Sequence, residues 1–380
     1  MNLFLTSLSL IIISLFFSCD SKPPLSSTLN SSSTTSIERN NALSNISIDI
    51  DSIVKVTSDV GWIADNIENS YLIVTKDRSK VIIYDEDRKT KSITVAGEGP
   101  NKISSIHKAG FLSTNTFIVA DISSVATYSF DGIIDSQCKN ISSKINLGMD
   151  LRMKGTNENE IILGCLNPLN EISSSEYFEN SENFFVSKLN IESCNVTPIG
   201  RINENSIYKK IHLPIRYRVL WDAALSHNVI ATVMPFDKIV DFYNIESNKL
   251  LNSISLSPQH FNDIVPVDGD DLSSKLRAMQ MNSSYVKIIL SEDAKSLLTY
   301  YQRGTDEPID NLDYLNSNST SSSRYIELYR DARKVGDDIK MEGSLIPIKF
   351  ISDDRILFYS TNIDDEEGVF FHYGTIIGSD

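Results

Sequence analysis

Short apolar runs separated by polar turns fill the chain from residue 47 to its end. Six times, one run of β-type residues is followed after a turn by a second run, and the first such pair is residues 71–75 and 81–84. Runs of this length and composition, bounded by turn residues, are typical of strands. Aligned on the second run, the repeats have anchors at Tyr84, Tyr128, Leu189, Tyr243, Tyr329 and Phe371.

Each repeat contains about four such runs. One more run precedes each pair, as in residues 219–222, and another often follows, as in residues 249–254. The shortest intervals, from Tyr84 to Tyr128 and from Tyr329 to Phe371, match a propeller blade of about 40–45 residues. We therefore predict an all-β fold for residues 47–380, a six-bladed β-propeller with four-stranded blades. A β-sandwich or a pair of β domains is the alternative.

A propeller of this kind must close on itself, because an incomplete last blade would expose strand edges. The C-terminal segment 374–380 is short for a full fourth strand. Residues 47–56 alternate between polar and apolar side chains, as a half-buried strand does. We predict that this N-terminal strand supplies the outer strand of the last blade.

The first residues of the chain predict export. Residues 3–17 are an apolar run that is too short to span a bilayer comfortably and suits a signal peptide. The run ends in Leu-Phe-Phe-Ser before Cys19, which resembles a lipobox, although no Lys or Arg precedes it. We predict a signal peptide at 1–18, lipid on Cys19 and a Ser-rich flexible tether up to residue 46. A plain secretory signal and an uncleaved anchor are the alternatives.

Charge and cysteine content narrow the partners and the compartment. The net charge of −15 and the absence of a Lys/Arg run argue against nucleic acid as a partner. Export permits disulfides, and Cys138, Cys165 and Cys194 remain after Cys19. We expect buried thiols at these positions, with a Cys165–Cys194 disulfide as the alternative.

A family resemblance rests on the turn Gly97-Glu98-Gly99-Pro100. It resembles the G-x-G-P-G-E-[F/Y] turn of exported six-bladed β-propeller lipoproteins of the Bacteroidetes type, which are relatives of NHL-repeat propellers. Asn101, Lys102 and Ile103 stand where that family has Gly, Glu and an aromatic residue. The resemblance implies a binding or sensing module in the cell envelope, lipid-anchored at the outer membrane. The turn itself predicts a tight link between blades, and its spacing fails the phosphate-binding patterns.

Ligand-binding residues of such a scaffold are expected on the loops of one face. Arg side chains bind carboxylates bidentately and stack on rings, so the Arg-rich segment 207–221 could hold an acidic sugar or a peptide terminus. A salt-bridged loop is the alternative. The candidate ligand-binding residues are His107, His212, Arg216, Tyr217, Arg218, Trp221 and Arg303.

One helix is predicted inside the segment 260–284. Leu272, Leu276 and Met279 recur at helical spacing, and Asp270 or Asp271 can cap the helix. This helix is either a lid on the propeller mouth or a surface insertion that packs on a blade.

The sequence contains no recognisable catalytic motif. The five histidines lack metal-ligand spacing, and no Gly-x-Ser-x-Gly elbow is present. We therefore predict no catalytic residues, no metal and no cofactor. The predicted function is a non-catalytic binding or scaffold module for a glycan, a peptide or a partner protein. The alternatives are a carbohydrate-active hydrolase or lyase with its site at the funnel mouth, and a signalling or assembly subunit that binds a membrane protein.

Overall fold

The chain folds into six β-sheets arranged around an axis. A computed structural model describes residues 46–86, 88–100, 102–145, 152–165, 183–210, 219–262, 264–266, 272–306, 323–363 and 366–378. In these residues, the strands form six four-stranded antiparallel sheets, and in four neighbouring pairs of sheets the first strands contact one another. Each sheet is a blade, so the predicted all-β six-bladed propeller is confirmed.

The chain enters through β1 (Ser47–Thr57), which belongs to the last blade, and then builds the blades in order. Blade 1 contains β2 (Gly61–Ile67), β3 (Ser70–Thr75), β4 (Lys80–Asp85) and β5 (Arg88–Thr94). Blade 2 contains β6 (Lys108–Phe111), β7 (Thr116–Ala120), β8 (Ser124–Ser129) and β9 (Ile134–Lys139). Blade 3 contains β10 (Met153–Asn157), β11 (Glu160–Gly164), β12 (Val186–Asn190) and β13 (Asn195–Ile199).

The second half of the chain repeats this order and adds one α-helix. Blade 4 contains β14 (Leu220–Ala224), β15 (Val229–Val233), β16 (Ile239–Asn244) and β17 (Leu250–Ser255). The predicted helix is present as α1 (Leu272–Met281), between blades 4 and 5. Blade 5 contains β18 (Ser284–Leu290), β19 (Ser296–Gln302), β20 (Arg324–Arg330) and β21 (Arg333–Met341). Blade 6 contains β22 (Ile346–Ser352), β23 (Arg355–Ile363) and β24 (Glu366–Ile377), completed by β1. Short 3-10 turns are present at Ile141–Ser143, Ile207–Lys209 and Leu225–His227.

The propeller closes through its N-terminal strand. β1 pairs antiparallel with β24, with Ser47 opposite Ile377 and Val54 opposite Phe371. An ion pair between Asp51 and Arg355 at 3.0 Å adds a side-chain contact across blade 6. The predicted closure by the N-terminal strand is therefore confirmed.

Apolar side chains pack mainly between neighbouring blades. Between blades 1 and 2, Val74 and Val81 belong to one buried cluster with Phe117 and Tyr128. Because each strand alternates its side chains between two faces, one blade can pack on both of its neighbours. We call the first strand of each blade its inner strand and the fourth its outer strand. The linkers between blades and the turns between second and third strands lie at the same end of the inner strands, which we call the linker face.

The Gly-rich turn links blades 1 and 2 as predicted. Gly97 and Gly99 have φ values of 122° and 121°, a region that favours glycine. The Gly97 N–H donates to the carbonyl of Ile103 at 3.0 Å, and the Ile103 N–H donates to the carbonyl of Val95 at 2.9 Å. The turn thus folds back on the end of blade 1.

At the outer edge of the propeller, the end of one outer strand contacts the turn before the outer strand of the next blade. Cys138, near the end of β9, forms a disulfide with Cys194, in the turn before β13, with the two Cα atoms 5.7 Å apart. Cys165 is buried at the end of β11. The expectation of thiols at Cys138 and Cys194 was wrong, and so was the alternative Cys165–Cys194 pairing. Sequence spacing does not encode this pairing, because it depends on how two blades meet.

Replacing Gly110 with Ala is expected to destabilise the propeller. Inner strands β6 and β10 meet in a parallel bridge between Ala109 and Arg152, and a Cβ on Gly110 would lie 2.0 Å from the carbonyl oxygen of Met153. Overpacking against backbone should cost about 3 kcal/mol in the free energy of unfolding, measured by chemical denaturation. In Gly343→Ala, where an added Cβ has open space at a φ of +67°, the loss should be only about 1 kcal/mol. Equal losses would contradict this account.

Candidate functional site

The inner strand of each blade is the edge strand of its sheet that faces the axis. Its backbone N–H and C=O groups on the axial side therefore need partners outside the sheet. Two carboxylates accept such N–H groups. Oδ2 of Asp65 in blade 1 accepts the N–H of Phe111 in blade 2 at 2.8 Å. Oδ2 of Asp222 in blade 4 accepts the N–H of Leu290 in blade 5 at 3.0 Å. Both carboxylates are buried, and each ties its blade to the next one.

Three basic side chains donate hydrogen bonds to backbone carbonyl groups of a neighbouring blade. The three pairs are Arg152 Nη1 with Trp221 O at 3.1 Å, Lys154 Nζ with Ala223 O at 2.9 Å, and Lys349 Nζ with Glu68 O at 2.6 Å. Blade 3 is thereby joined to blade 4, and blade 6 to blade 1. We call the five residues Asp65, Arg152, Lys154, Asp222 and Lys349 the axial cluster.

The two carboxylates of the axial cluster differ in electrostatics. Burial alone would raise the pKa of Asp222, but the charges of Arg152 and Lys154 hold it below its usual value. Oδ1 of Asp222 lies 3.3 Å from Arg152 Nη1 and 3.7 Å from Lys154 Nζ. Burial raises the pKa of Asp65 to about 6, because the same two charges offset less of it there. Asp65 therefore changes its charge in mildly acidic conditions.

Lys349 is coupled to the same group of charges. Burial lowers the pKa of Lys349, Glu86 and Glu292 act in the opposite direction, and the charge of Lys154 adds to the lowering. The Lys349 ammonium also lies 4.9 Å from the ring centroid of Tyr71. The charge of Lys154 in blade 3 thus acts on the pKa of a group in each of blades 1, 4 and 6, namely Asp65, Asp222 and Lys349.

A second feature is a cleft between blades 3 and 4 on the linker face. Its cavity volume is about 30 Å³, and Phe185, Val219 and Met234 are among its apolar lining residues. Asp237 and Asp241 contribute carboxylates to its wall. The donors to these carboxylates are Ser206 Oγ at 2.6 Å and Ile207 N–H at 2.7 Å for Asp237, and Asn203 Nδ2 at 2.8 Å and Ser253 Oγ at 2.6 Å for Asp241.

Both carboxyls of the cleft are shifted toward the protonated form. Burial raises the pKa of Asp237 to about 6; the hydrogen bonds from Ser206 and Ile207 act in the opposite direction, and the charge of Asp241 adds to the rise. Burial also raises the pKa of Asp241, against its hydrogen bonds from Ser253 and Asn203. Perturbed carboxyls are common in the clefts of functional sites, so this cleft is the second candidate site.

The Asp237→Asn variant is expected to remove part of the pH dependence of stability. The raised pKa means that the folded state binds the proton more tightly, so the contribution of Asp237 is full below the unfolded value of 3.8 and is lost as the pH rises through about 6. Between pH 4 and pH 7, the free energy of unfolding of the wild type should fall by about 2–3 kcal/mol relative to the variant. Denaturation at both pH values measures this difference, and parallel pH profiles would contradict it.

The structure describes three of the predicted ligand-binding residues. His107 is half-buried before β6, and burial and the charge of Arg78 lower its pKa. Trp221 is buried in β14, within the core between blades 3 and 4. Arg303 follows β19, where its Nη2 donates to Asp306 at 2.8 Å. His212, Arg216, Tyr217, Arg218 and the predicted lipidation site Cys19 lie outside the described residues.

These three residues are not brought together. His107 and Arg303 lie at the linker face in blades 2 and 5, which are separated by two blades on either side, and the indole of Trp221 is part of the core. The axial cluster and the carboxyls of the cleft were not predicted from the sequence. A usable signal was present, since Asp65 and Asp222 each interrupt a largely apolar inner strand.

In the residues that the structure describes, there is neither a candidate metal-ligand cluster nor a candidate membrane-spanning helix. Among the residues it describes, no group of three or more His, Cys, Asp or Glu side chains could hold a metal ion. The helices in that part of the chain include none that is long and apolar enough to cross a bilayer.

Comparison with known proteins identifies the fold. No family model and no curated protein matches the sequence. A crystal structure of a member of the DUF4221 family from Bacteroides vulgatus matches with a TM-score of 0.68 and 11% identity, covering 89% of this chain and all of that one. A Bacteroides fragilis protein described as exported matches with a TM-score of 0.50 and 13% identity, covering 87% of this chain and 95% of that one. The chain is thus a six-bladed β-propeller similar to Bacteroides proteins, and at these identities the likeness shows the fold alone.

Proposed function

We propose that this protein is a lipid-anchored module of the cell envelope that binds a glycan, a peptide or a partner protein without transforming it. The charged groups of the axial cluster carry this proposal. Each of them holds the backbone edge of a neighbouring blade, directly at hydrogen-bond distance. Side chains that are hydrogen-bonded to the backbone of a neighbouring blade are poorly placed to exchange protons with a substrate, since a general acid or base must reach the reacting atom.

The location in the envelope is part of the same proposal. The apolar run before Cys19 and the Ser-rich segment after it support export and lipid attachment at the outer membrane. The similarity to a Bacteroides fragilis protein described as exported agrees with this location. Relationship to NHL-repeat propellers is proposed on the Gly97–Pro100 turn.

A two-part experiment tests the proposal. In a Gram-negative host, the full-length protein should fractionate with the outer membrane, and the Cys19→Ala variant should not. The mature protein should retain members of a glycan or peptide array, and mass spectrometry should recover them unaltered. A soluble wild-type protein would contradict the anchor, and an array without any bound member would contradict the binding function.

The cleft between blades 3 and 4 favours a second candidate function, a carbohydrate-active enzyme. Glycoside hydrolysis uses two carboxyls, one of them with a raised pKa, and Asp237 and Asp241 share this cleft with such a shift. Released sugars that disappear in Asp241→Asn, and persist in Asp77→Asn at a turn of blade 1, would establish this alternative. Intact array glycans after prolonged incubation would exclude it for the glycans tested.

A further inference from the structure

The outer strand of each blade ends its sheet at the outside of the propeller, where its backbone edge can accept another strand. Natural sheets protect such edges with charged side chains or with proline. Five of the six outer strands in the described residues contain one or the other. Examples are Lys91 in β5, Asp135 in β9, Pro198 in β13, Arg333 in β21 and Asp51 in β1.

The outer strand of blade 4, β17, is the exception. Its sequence, Leu-Leu-Asn-Ser-Ile-Ser, contains neither a charged residue nor proline. Leu250 and Leu251 are 53% and 54% exposed. A bulge lies at Leu251, and beyond it residues 252–255 pair regularly with residues 239–242 of β16. The edge of β17 is therefore open to an added strand.

The lack of charge on β17 favours a second copy of this chain as the partner. Each copy has a net charge of −15, so two copies repel one another over most of their surface. Pairing along an uncharged strand adds no like-charge pair. By contrast, a two-fold axis through the middle of β5 would place Lys91 opposite its own copy. A foreign partner would not need an uncharged edge, because its own charges could complement those of the strand that it joins.

We propose that β17 strands from two copies pair antiparallel about a two-fold axis, which joins two four-stranded sheets into one sheet of eight strands. Backbone hydrogen bonds form along the shared edge, and Leu250 and Leu251 lose contact with water. The dimer is expected to be weak in solution, because a contact along one short strand belongs to the size class below about 1,200 Å². Attachment to one membrane would favour the dimer, because it raises the effective concentration of the partner.

Analytical ultracentrifugation of the mature protein, with Cys19→Ala to remove the proposed lipid, tests this pairing. The unaltered β17 should give a reversible monomer–dimer equilibrium over about 1–100 µM, the range of weak complexes. Asn252→Lys, at an exposed position in the middle of β17, should weaken dimerisation about tenfold or more, because it brings two like charges together. Asn195→Lys is the matched control. It makes the same change at an exposed position of β13 and should leave the equilibrium unchanged.

A charge swap identifies the contact. Asn252→Lys and Asn252→Asp should each be mainly monomeric alone, and an equal mixture of the two should form dimers, because opposite charges then meet across the two-fold axis. If Asn252→Lys does not fold, Leu250→Lys provides the same test at a residue that is more than half exposed. A protein with unaltered β17 that is monomeric throughout this range, or a dimer that both Lys variants leave intact, would overturn the inference.

The dimer and the proposed ligand can be distinguished. Dimers without any bound array member would support the pairing of β17 and contradict the proposed function alone. A monomeric protein that binds an array peptide, and loses it in Asn252→Lys, would assign the edge of β17 to a foreign strand. That result would overturn the dimer and support the proposed function.

Discussion

A chain that begins at residue 58 is expected to lose the cooperative unfolding transition of the propeller. It lacks β1, which pairs with β24 along almost its whole length and completes the last blade. It also loses Ile46 and Val56, which are buried, and each such side chain contributes about 1.5–3 kcal/mol. With the lost strand pairing, the destabilisation should be on the order of 5 kcal/mol, comparable to the whole stability of many domains. Urea denaturation followed by circular dichroism measures it.

The matched control is a chain that begins at residue 46. It removes the predicted signal peptide and tether but keeps β1 and Ile46, so its unfolding midpoint should equal that of the chain beginning at Cys19. Exposure of β24 in the shorter chain should also promote association, because an unpaired edge accepts strands from other molecules. A monomeric and cooperatively folded chain from residue 58 would show that blade 6 does not depend on β1.

The Asp222→Ala variant is expected to lose about 3–5 kcal/mol of stability, because it removes one partner of a buried ion pair. Arg152 and Lys154 would then face the axis without the carboxylate that lies 3.3 and 3.7 Å from them. The N–H of Leu290 would lose its acceptor as well. Chemical denaturation at pH 7 measures the loss.

Asp293→Ala provides the comparison for Asp222→Ala. Asp293 pairs with Lys295 at 3.8 Å, but its side chain is 42% exposed, so its loss should cost at most about 1 kcal/mol. A double-mutant cycle of Asp222→Ala with Lys154→Met isolates the coupling between the two groups. A loss as small as that of Asp293→Ala would show that the axial cluster does not hold blades 3, 4 and 5 together.

The strands and blades could be predicted because the sequence patterns that form them extend over only a few residues. In blade 4, residues 229–233 and 239–243 have the apolar patterning of adjacent strands, and they became β15 and β16. The closing strand could also be predicted, since residues 47–50 alternate between exposed and half-buried positions as their polar and apolar side chains do. Patterns of this kind depend on near neighbours along the chain, so they can be recognised without knowledge of the final packing.

The axial cluster could not be predicted in the same way. Asp65 and Phe111 belong to different blades, and so do Lys154 and Ala223, so their contacts exist only once the blades have closed around the axis. The candidate residues were instead chosen for side-chain chemistry on loops. Trp221 was one of these candidates. Its indole is buried in the core, whereas its backbone carbonyl accepts a hydrogen bond from Arg152.

Local patterning was enough to predict the strands, the number of blades and the strand that closes the ring, because periodicity and turn residues act over a few residues. Packing of the blades was needed to establish which charged groups lie near the axis, which carboxyls share the cleft between blades 3 and 4, and that Cys138 pairs with Cys194. Those outcomes depend on the angle and spacing between blades, which arise from packing of residues far apart in the chain. Burial then changes the chemistry of the groups it brings together, as the pKa of about 6 at both Asp65 and Asp237 illustrates.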